Sequence, residues 1–511
     1  MTGTDGFLTP APDFAQFAER YEAGDAQLVY RRVAGDLDTP VSAYLKLTGG
    51  QQDSFLLESV EGGDTLGRYS TIGLKPDLVW RARGDNAEIN RQPAVDPHAF
   101  DPDPRGTLAS MRDLITSSTI PLDDETAHKL PPMAAGVFGY FGYDFVRLTE
   151  RLPNRPPMPI DVPDGYFIRP TLLAVFDNVK HEVVLITPVR PDSSTDARAA
   201  YGRAAERLAT AIDDLHRPVG LPPVHPDPMP SDFAANMTPA DYENMVRRAK
   251  DYIAAGDIFQ VVLSQRFTAP FEGDPFDVYR QVRRVNPSPF LFFLNFRPAA
   301  LLGASPEILV RVRDGQVTIR PIAGTRRRGK TREEDLALEH ELLADPKERA
   351  EHLMLLDLGR NDVGRAAKIG TVRPTETFTI ERYSHVMHIV SNVVGDLRPD
   401  FHPLDALAAG FPAGTLTGAP KVRAMEIIDE LEPDGRGPYG GCIGYFGADG
   451  GIDTCIGLRM AVIKDRQIHI QAGAGIVADS DPTSEHQECM TKAEALKEAT
   501  RRAAASQGGN R

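Results

Sequence analysis

Cysteine is scarce. Cys442, Cys455 and Cys489 are the whole supply in 511 residues. An odd count at wide spacing provides neither a disulfide framework nor paired zinc ligands, and it suits a reducing compartment. Basic charge is also in deficit: 57 Lys and Arg stand against 72 Asp and Glu, a net charge of −15. That excludes a general binder of nucleic acid or of an anionic membrane, since both need a positive field. An anionic substrate would need a local cluster of Lys, Arg and backbone N–H groups. No apolar run is long enough to span a membrane. The opening residues, MTGTDGFLTPAPDF, lack the basic-then-apolar pattern of a secretion signal. The expectation is a cytoplasmic globular protein with no nucleic-acid or membrane partner, and the chain carries no internal repeat or low-complexity tract.

What is present reads as α+β. Residues 1–25 suggest a loose entry and a short helix. SAYLKL, SFLLESV and LVWRAR suggest strands between about Leu28 and Arg83, and 84–130 a mixed peripheral insertion. GVFGYFGYDFV and TLLAVFDNV…HEVVLITPV resume strands. Six prolines in 217–233 mark a linker between an N-terminal region (1–216) and a C-terminal one (234–511). The second region opens with a helix capped by Thr238, with Pro239 at its first position and Gly256 at its stop. Hairpin-like strands follow, from IFQVVLSQRF to QIHIQAGAGIVA. Helices do not alternate with strands one for one, so two packed antiparallel sheets surrounded by helices are expected rather than a doubly wound parallel sheet.

Four constellations carry chemistry. In DPKERAEHLMLLDLGRND (345–362), Asp345 is a natural N-cap, Pro346 suits the first turn, Glu348 completes a capping box and Gly359 stops the helix. Glu351 shares a face with Glu348, Leu355 and Leu358, and a carboxylate on an apolar face needs a partner. In DSDPTSEHQECMTKAEALKEA (479–499), Glu485, Glu488 and Lys492 share a face. Alone, Glu488 and Lys492 describe an ordinary exposed pair worth about 0.3–0.5 kcal/mol. With Glu351 they suit a hard cation, because Mg²⁺ takes one or two carboxylates with waters and substrate oxygens. In IQAGAGIVADS (470–480), Gly473 and Gly475 around Ala474 let backbone N–H groups approach an anion, or else mark a bulge. Tyr439 and the carboxylate-binding fork of Arg459 lie on nearby strands. In FPAGTLTGAPKVRAMEIIDELE (411–432), a Gly/Thr turn enters a helix whose start, with Thr415, suits an anion.

Three patterns point elsewhere. GTRRRGKT (324–331) fits a phosphate loop and LMLLD (353–357) a metal-binding strand end, a nucleotidase reading. It would crowd three Arg side chains into a loop whose amides must face phosphate. Cys442 with HQE (486–488) suggests an amidotransferase pair, but about 40 residues separate them and no domain surrounds them, so Cys442 reads as a buried small residue. Arg326–Arg328 read as a solvated loop balanced by Glu333, Glu334 and Asp335.

Taken together and in order, PIAGTRRRG, AEHLMLLDLGRND, ERYSHVMHIVSNVVG, FPAGTLTGAPK and QAGAGIVADS…E resemble the chorismate-utilising enzymes. The resemblance covers roughly 236–497 and extends forward through LLES. It implies two antiparallel sheets with helices outside. It also implies Mg²⁺ on Glu351 and Glu488, with Glu485 acting through water. The implied carboxylate clamp is Gly324, Thr325, Tyr439, Arg459, Gly473, Ala474, Gly475 and Lys492. Glu307 in GASPE is the implied acid for the departing 4-hydroxyl, a role that requires a raised pKa. His388 is the implied group for pyruvate elimination. Without the resemblance it would read as a satisfied core histidine beside Val386 and Val390.

Two positions sort the branches of that family. Relatives that add water at C2 carry Lys where this chain has Gln260, and ammonia, unlike water, needs no base. Relatives that make 4-amino-4-deoxychorismate carry a nucleophilic Lys where this chain has Ala323. The implied reaction is therefore chorismate plus ammonia to anthranilate and pyruvate. The alternative is a 2-amino-2-deoxyisochorismate synthase without the lyase step. Free ammonia is scarce at neutral pH, which implies a glutamine amidotransferase partner. Tryptophan feedback inhibition is also implied, at Leu57, Glu58 and Ser59 together with Asn286, Pro287, Pro289, Phe290 and Leu291.

Overall fold

The computed structural model describes residues 9–61, 65–123, 126, 129–220, 232–383 and 386–508; of the Pro-rich segment, 221–231 lies outside them. Every strand pairing among these residues is antiparallel, and the ladders form two sheets that share two long strands, Thr65–Arg83 and Gly165–Asp177. Residues 69–74 of the first pair with 172–177 of the second in one sheet, and 76–82 with 165–170 in the other. The register slips between Pro76 and Leu78, where the pair passes from sheet to sheet. Proline cannot donate to a ladder, so the break falls where the chain has to bend.

From the shared pair the first sheet runs through Ser54–Glu61, Phe290–Asn295, Ala300–Ser305, Met460–Lys464 and Gln467–Ile476 to Gln260–Pro270. The second runs through Gly136–Phe141, Cys442–Gly447, Ile452–Ile456, Ile308–Arg313 and Gln316–Ile319 to Val386–Asp396. Each sheet thus contains ladders between the two halves of the chain. Between the sheets, Phe55 of the first stacks on Phe138 of the second at 4.5 Å, and Phe138 on Tyr445 at 5.3 Å. Helices cover both outer faces, including Pro239–Ala254 and Pro482–Gly508 on the first and Thr107–Ser118 and Pro346–Ala366 on the second. This is the expected architecture, with apolar strand faces buried inward and amphipathic helices outside.

Local expectations fare unevenly. Thr238, Pro239 and Gly256 act as expected: the helix spans Pro239–Ala254 and Gly256 turns left-handed at φ 84°. SAYLKL is not a strand. It lies in helix Pro40–Thr48, because Thr39 and Ser42 form a reciprocal capping box and Gly49 closes the end at φ 55°. GYDFV leaves its strand at Phe141 for a 3-10 turn, Tyr143–Leu148. Gly359 does not stop its helix, which continues to Ala366 because Asp362, Val363 and Ala366 prolong the buried stripe of Leu355, Leu356 and Gly359. Glu348 completes no capping box: Asp345 accepts from the Lys347 and Glu348 amides, while the Glu348 carboxylate takes Arg326 Nη1 at 3.0 Å.

Candidate active site

Glu351 projects from helix Pro346–Ala366, and Glu485 and Glu488 from helix Pro482–Gly508. Burial raises the Glu351 pKa, and the negative charges of Glu348 and Glu488 push the same way, so the two helices bring 351 and 488 within electrostatic reach. Burial and Glu488 likewise raise Glu485. Among the described residues no three His, Cys, Asp or Glu side chains come close enough to enclose a metal. Two carboxylates that repel each other, one of them half-buried, still fit the donor set of Mg²⁺, which needs only one or two protein oxygens. Lys492 Nζ sits 2.7 Å from Glu488 and donates to the Gly473 carbonyl at 3.1 Å, joining this helix to the glycine strand.

That strand, Gln467–Ile476, pairs with Gln260–Pro270 without a bulge. A Cβ at Gly473 would meet the Leu263 carbonyl at 2.5 Å, so that position demands glycine, whereas one at Gly475 would meet only the movable end of Gln260, Nε2 at 2.6 Å. Among the described residues the buried Gln260 Oε1 has no hydrogen-bond partner. Beneath lies a buried ion pair that sequence reasoning missed. Arg436 Nη2 and Nε hold Glu432 at 2.7 and 2.9 Å, and Glu432 accepts the Ser264 amide and hydroxyl. The Arg436 guanidinium lies 5.7 Å from the Tyr439 ring centre, in the floor of the site. In sequence this was a Glu/Arg pair four apart, the same signal as any exposed helix pair.

On the opposite wall stands Glu307. Its carboxyl is 8 % exposed at the residue level, and burial pushes its pKa up to about 8 despite the Thr415 hydroxyl, the Ile322 amide and the positive charge of Arg459. Thr415 Oγ1 donates to Glu307 Oε2 at 3.0 Å. Arg459 holds a left-handed backbone, φ 47°; burial lowers its pKa, and among the described residues Glu307 is the one carboxyl whose charge acts on it, without a salt bridge. A desolvated, unpaired Arg is poised to take an anion. His388 Nδ1 faces the Gly324 carbonyl at 3.1 Å and Thr325 Oγ1 at 3.0 Å. Burial lowers the His388 pKa, and Arg459 adds to the effect. A Cβ on Gly324 would meet Glu348 Oε2 at 3.1 Å, so this strand abuts the helix that carries Glu351. Hydrogen bonds and charge effects thus link Lys492 with Glu488 and Gly473, Glu351 with Glu488, His388 with Gly324, and Glu307 with Thr415 and Arg459.

The competing patterns dissolve. Gly324–Arg327 lie in strand Ile322–Arg327, LMLLD lies inside helix Pro346–Ala366, and the Gly329 and Lys330 amides are taken by Asp335 and Glu334 rather than turned to a phosphate. Arg326 is not a loop residue: it bonds Glu341, Asp345 and Glu348, while Arg327 takes Glu334 and Arg328 takes Asp335. Cys442 is buried, its thiol pushed up to about 12, and His486 packs on Tyr242 instead.

A second cavity, of about 500 Å³, opens between the sheets; Leu57, Glu58, Ser59, Pro289, Phe290 and Leu291 all line it. Asn286 and Pro287, just past helix Pro275–Val285, lie outside that lining. Glu58 Oε2 accepts from Tyr279 at 2.5 Å and Arg283 at 2.8 Å, while its Oε1 is buried with no partner.

A buried carboxyl raised toward neutrality beside a desolvated arginine, with two mutually repelling glutamates from separate helices, suits an enzyme that works on an anionic small molecule. Residues 76–498 match the family model described as chorismate binding enzyme, and the chain belongs to that family. It is 56% identical over 490 residues to "Anthranilate synthase component 1" of Cereibacter sphaeroides, covering 95% of this chain and 97% of that protein. It is 48% identical over 477 residues to the protein of the same name from Pseudomonas putida, covering 90% and 92%. Among solved structures, anthranilate synthase component I from Streptococcus pneumoniae superposes with a TM-score of 0.73 at 36% identity, covering 91% of this chain and 98% of that one. No helix among the described residues is long and apolar enough to cross a membrane.

Proposed function

We propose that the chain is an anthranilate synthase component that converts chorismate and ammonia, through 2-amino-2-deoxyisochorismate, to anthranilate, pyruvate and water. The observation that carries the reading is Glu307: a buried carboxyl that stays protonated near neutrality, next to an unpaired arginine and a neutral histidine. The identity to curated anthranilate synthase components supports the choice of product.

Mg²⁺ held by Glu351 and Glu488, with Glu485 reaching it through water, would anchor and neutralise a substrate carboxylate. Arg459, Tyr439, Lys492, the Gly324–Thr325 backbone and the Gly473–Gly475 amides orient the anionic substrate. Thr415 holds Glu307 in place. As ammonia attacks C2, Glu307 gives its proton to the 4-hydroxyl, which leaves as water while the ring double bonds shift. Gln260 offers the incoming N–H groups an unpaired carbonyl oxygen and, unlike Lys, cannot activate a competing water. His388 then takes the C2 proton as the enolpyruvyl C–O bond breaks, and the leaving group becomes pyruvate on protonation at its methylene carbon.

The ammonia comes from a glutamine amidotransferase partner, a reading supported by the burial of Cys442, Cys455 and Cys489, which leaves no exposed cysteine nucleophile among the described residues. Tryptophan is the feedback inhibitor in the second cavity, where the orphaned Glu58 Oε1 suits an ammonium group. The test is fluorescence of the aromatic product from chorismate, Mg²⁺ and ammonium salt, with pyruvate released in equal amount. A non-aromatic amine that accumulates without pyruvate would replace this reading with the synthase that lacks the lyase step.

A further inference from the structure

Because its helix outlasts Gly359, Asp362 arrives behind Glu307. Asp362 is 5 % exposed. Its Oδ2 accepts from Lys421 Nζ at 2.8 Å, and Lys421 donates also to the Gly410 carbonyl at 3.3 Å. Among the described residues its buried Oδ1 has no hydrogen-bond partner. Leaving a carboxylate oxygen orphaned in apolar surroundings is costly, so this atom calls for a partner. Asp362 lines a small cavity of about 30 Å³ whose only other side-chain oxygens belong to Glu307 and Thr415; Ile319, Leu355 and Leu358 form its apolar wall. One water needs roughly 10–15 Å³ of such space and two to four polar partners. The cavity has room for one or two waters and offers three side-chain groups to hold them.

We infer that the Lys421–Asp362 pair is a positioning device for Glu307: Asp362 Oδ1 anchors buried water that hydrogen-bonds the Glu307 carboxyl from behind. The inference rests on the reading of Glu307 as the acid. Burial raises the Asp362 pKa, and the Lys421 ammonium and its hydrogen bond work against that rise. The pair is neutral as a whole, so it solvates Glu307 without imposing a charge. The other charged or titratable groups that face this assembly are Arg459 and Tyr383 around Glu307, and Arg365 beside Asp362.

Removing one member exposes Glu307 to an unbalanced charge, with opposite signs for the two variants. Asp362→Asn leaves the Lys421 cation, favours ionised Glu307 and moves the alkaline limb of the ammonium-driven pH–rate profile down by about one unit. Lys421→Gln leaves the Asp362 anion and moves the same limb up. The double variant returns it close to the parent. A pair that served packing alone would lower the yield of folded protein without moving the limb in opposite directions. Unmoved limbs in both single variants overturn the inference. If either variant fails to fold, a high-resolution crystal structure of the parent decides: water within hydrogen-bond distance of both Asp362 Oδ1 and Glu307 upholds it, and a dry cavity overturns it. Glu307→Gln separates the two claims. Retained activity there sinks the acid reading itself, whereas an inactive Glu307→Gln with unmoved limbs at 362 and 421 sinks only the water bridge.

Discussion

His388 Nδ1 lies 3.1 Å from the Gly324 carbonyl oxygen. A carbonyl only accepts, so Nδ1 carries the proton and Nε2 is left as a lone-pair base. Burial keeps the ring neutral below the usual 6.5. The strand pairing thus fixes the tautomer, while burial and Arg459, against the Gly324 hydrogen bond, favour the neutral ring required for abstracting a proton from carbon.

His388→Ala is expected to separate the two half-reactions. Chorismate consumption continues while anthranilate formation falls by about 10²–10⁴-fold, the usual worth of a positioned base. Chromatography of the reaction mixture should show the amino intermediate accumulating. Equal loss of both activities would remove His388 from the second step.

Glu307 has to be protonated to act, and its pKa stands at about 8. At fixed free-ammonia concentration, kcat/KM should hold up to that pH and then fall tenfold per unit as the acid ionises. Glu307→Gln should lose about 10²–10⁴-fold and show no such limb. A profile flat to pH 10 in the parent would contradict the assignment.

Glu58 presents one paired and one orphaned oxygen to the inter-sheet cavity. Glu58→Gln should keep the Tyr279 contact but weaken the hold on an ammonium group, raising the tryptophan concentration for half inhibition by tenfold or more, since a charge-assisted hydrogen bond is worth about 1.5–3 kcal/mol. An unchanged inhibition curve would exclude that contact.

Arg436 and Glu432 are 2 % and 5 % exposed. Arg436→Met strands a buried carboxylate and should cost about 3–5 kcal/mol in denaturant unfolding. Glu432→Gln with Arg436→Met should recover part of that loss. An Arg436→Met cost within error of zero would show the pair to be dispensable.

The motif blocks made much of this site legible before any coordinates. Thr415 meets Glu307 and His388 meets Gly324, pairs drawn from blocks that each bring their own local frame: a strand end, a glycine turn or a strand. Relations across long sequence gaps were not legible. Asp362 and Lys421 are 59 residues apart, and Glu432 meets Ser264 across 168. Each looks like ordinary surface charge until folding removes the water. SAYLKL misled because its apolar spacing suits either period, and the reciprocal Thr39–Ser42 cap decided for helix. Gly359 misled because a buried face can carry a helix through a glycine that would end it in isolation.

The most direct test concerns the two glutamates that approach from separate helices. Ammonium-driven anthranilate formation should vanish with a chelator and return with Mg²⁺. In Glu351→Gln and in Glu488→Gln the Mg²⁺ concentration for half activity should rise at least tenfold, while circular dichroism stays that of the parent. If either variant keeps the parent's Mg²⁺ dependence and rate, positions 351 and 488 do not share a cation and the account of the site is wrong.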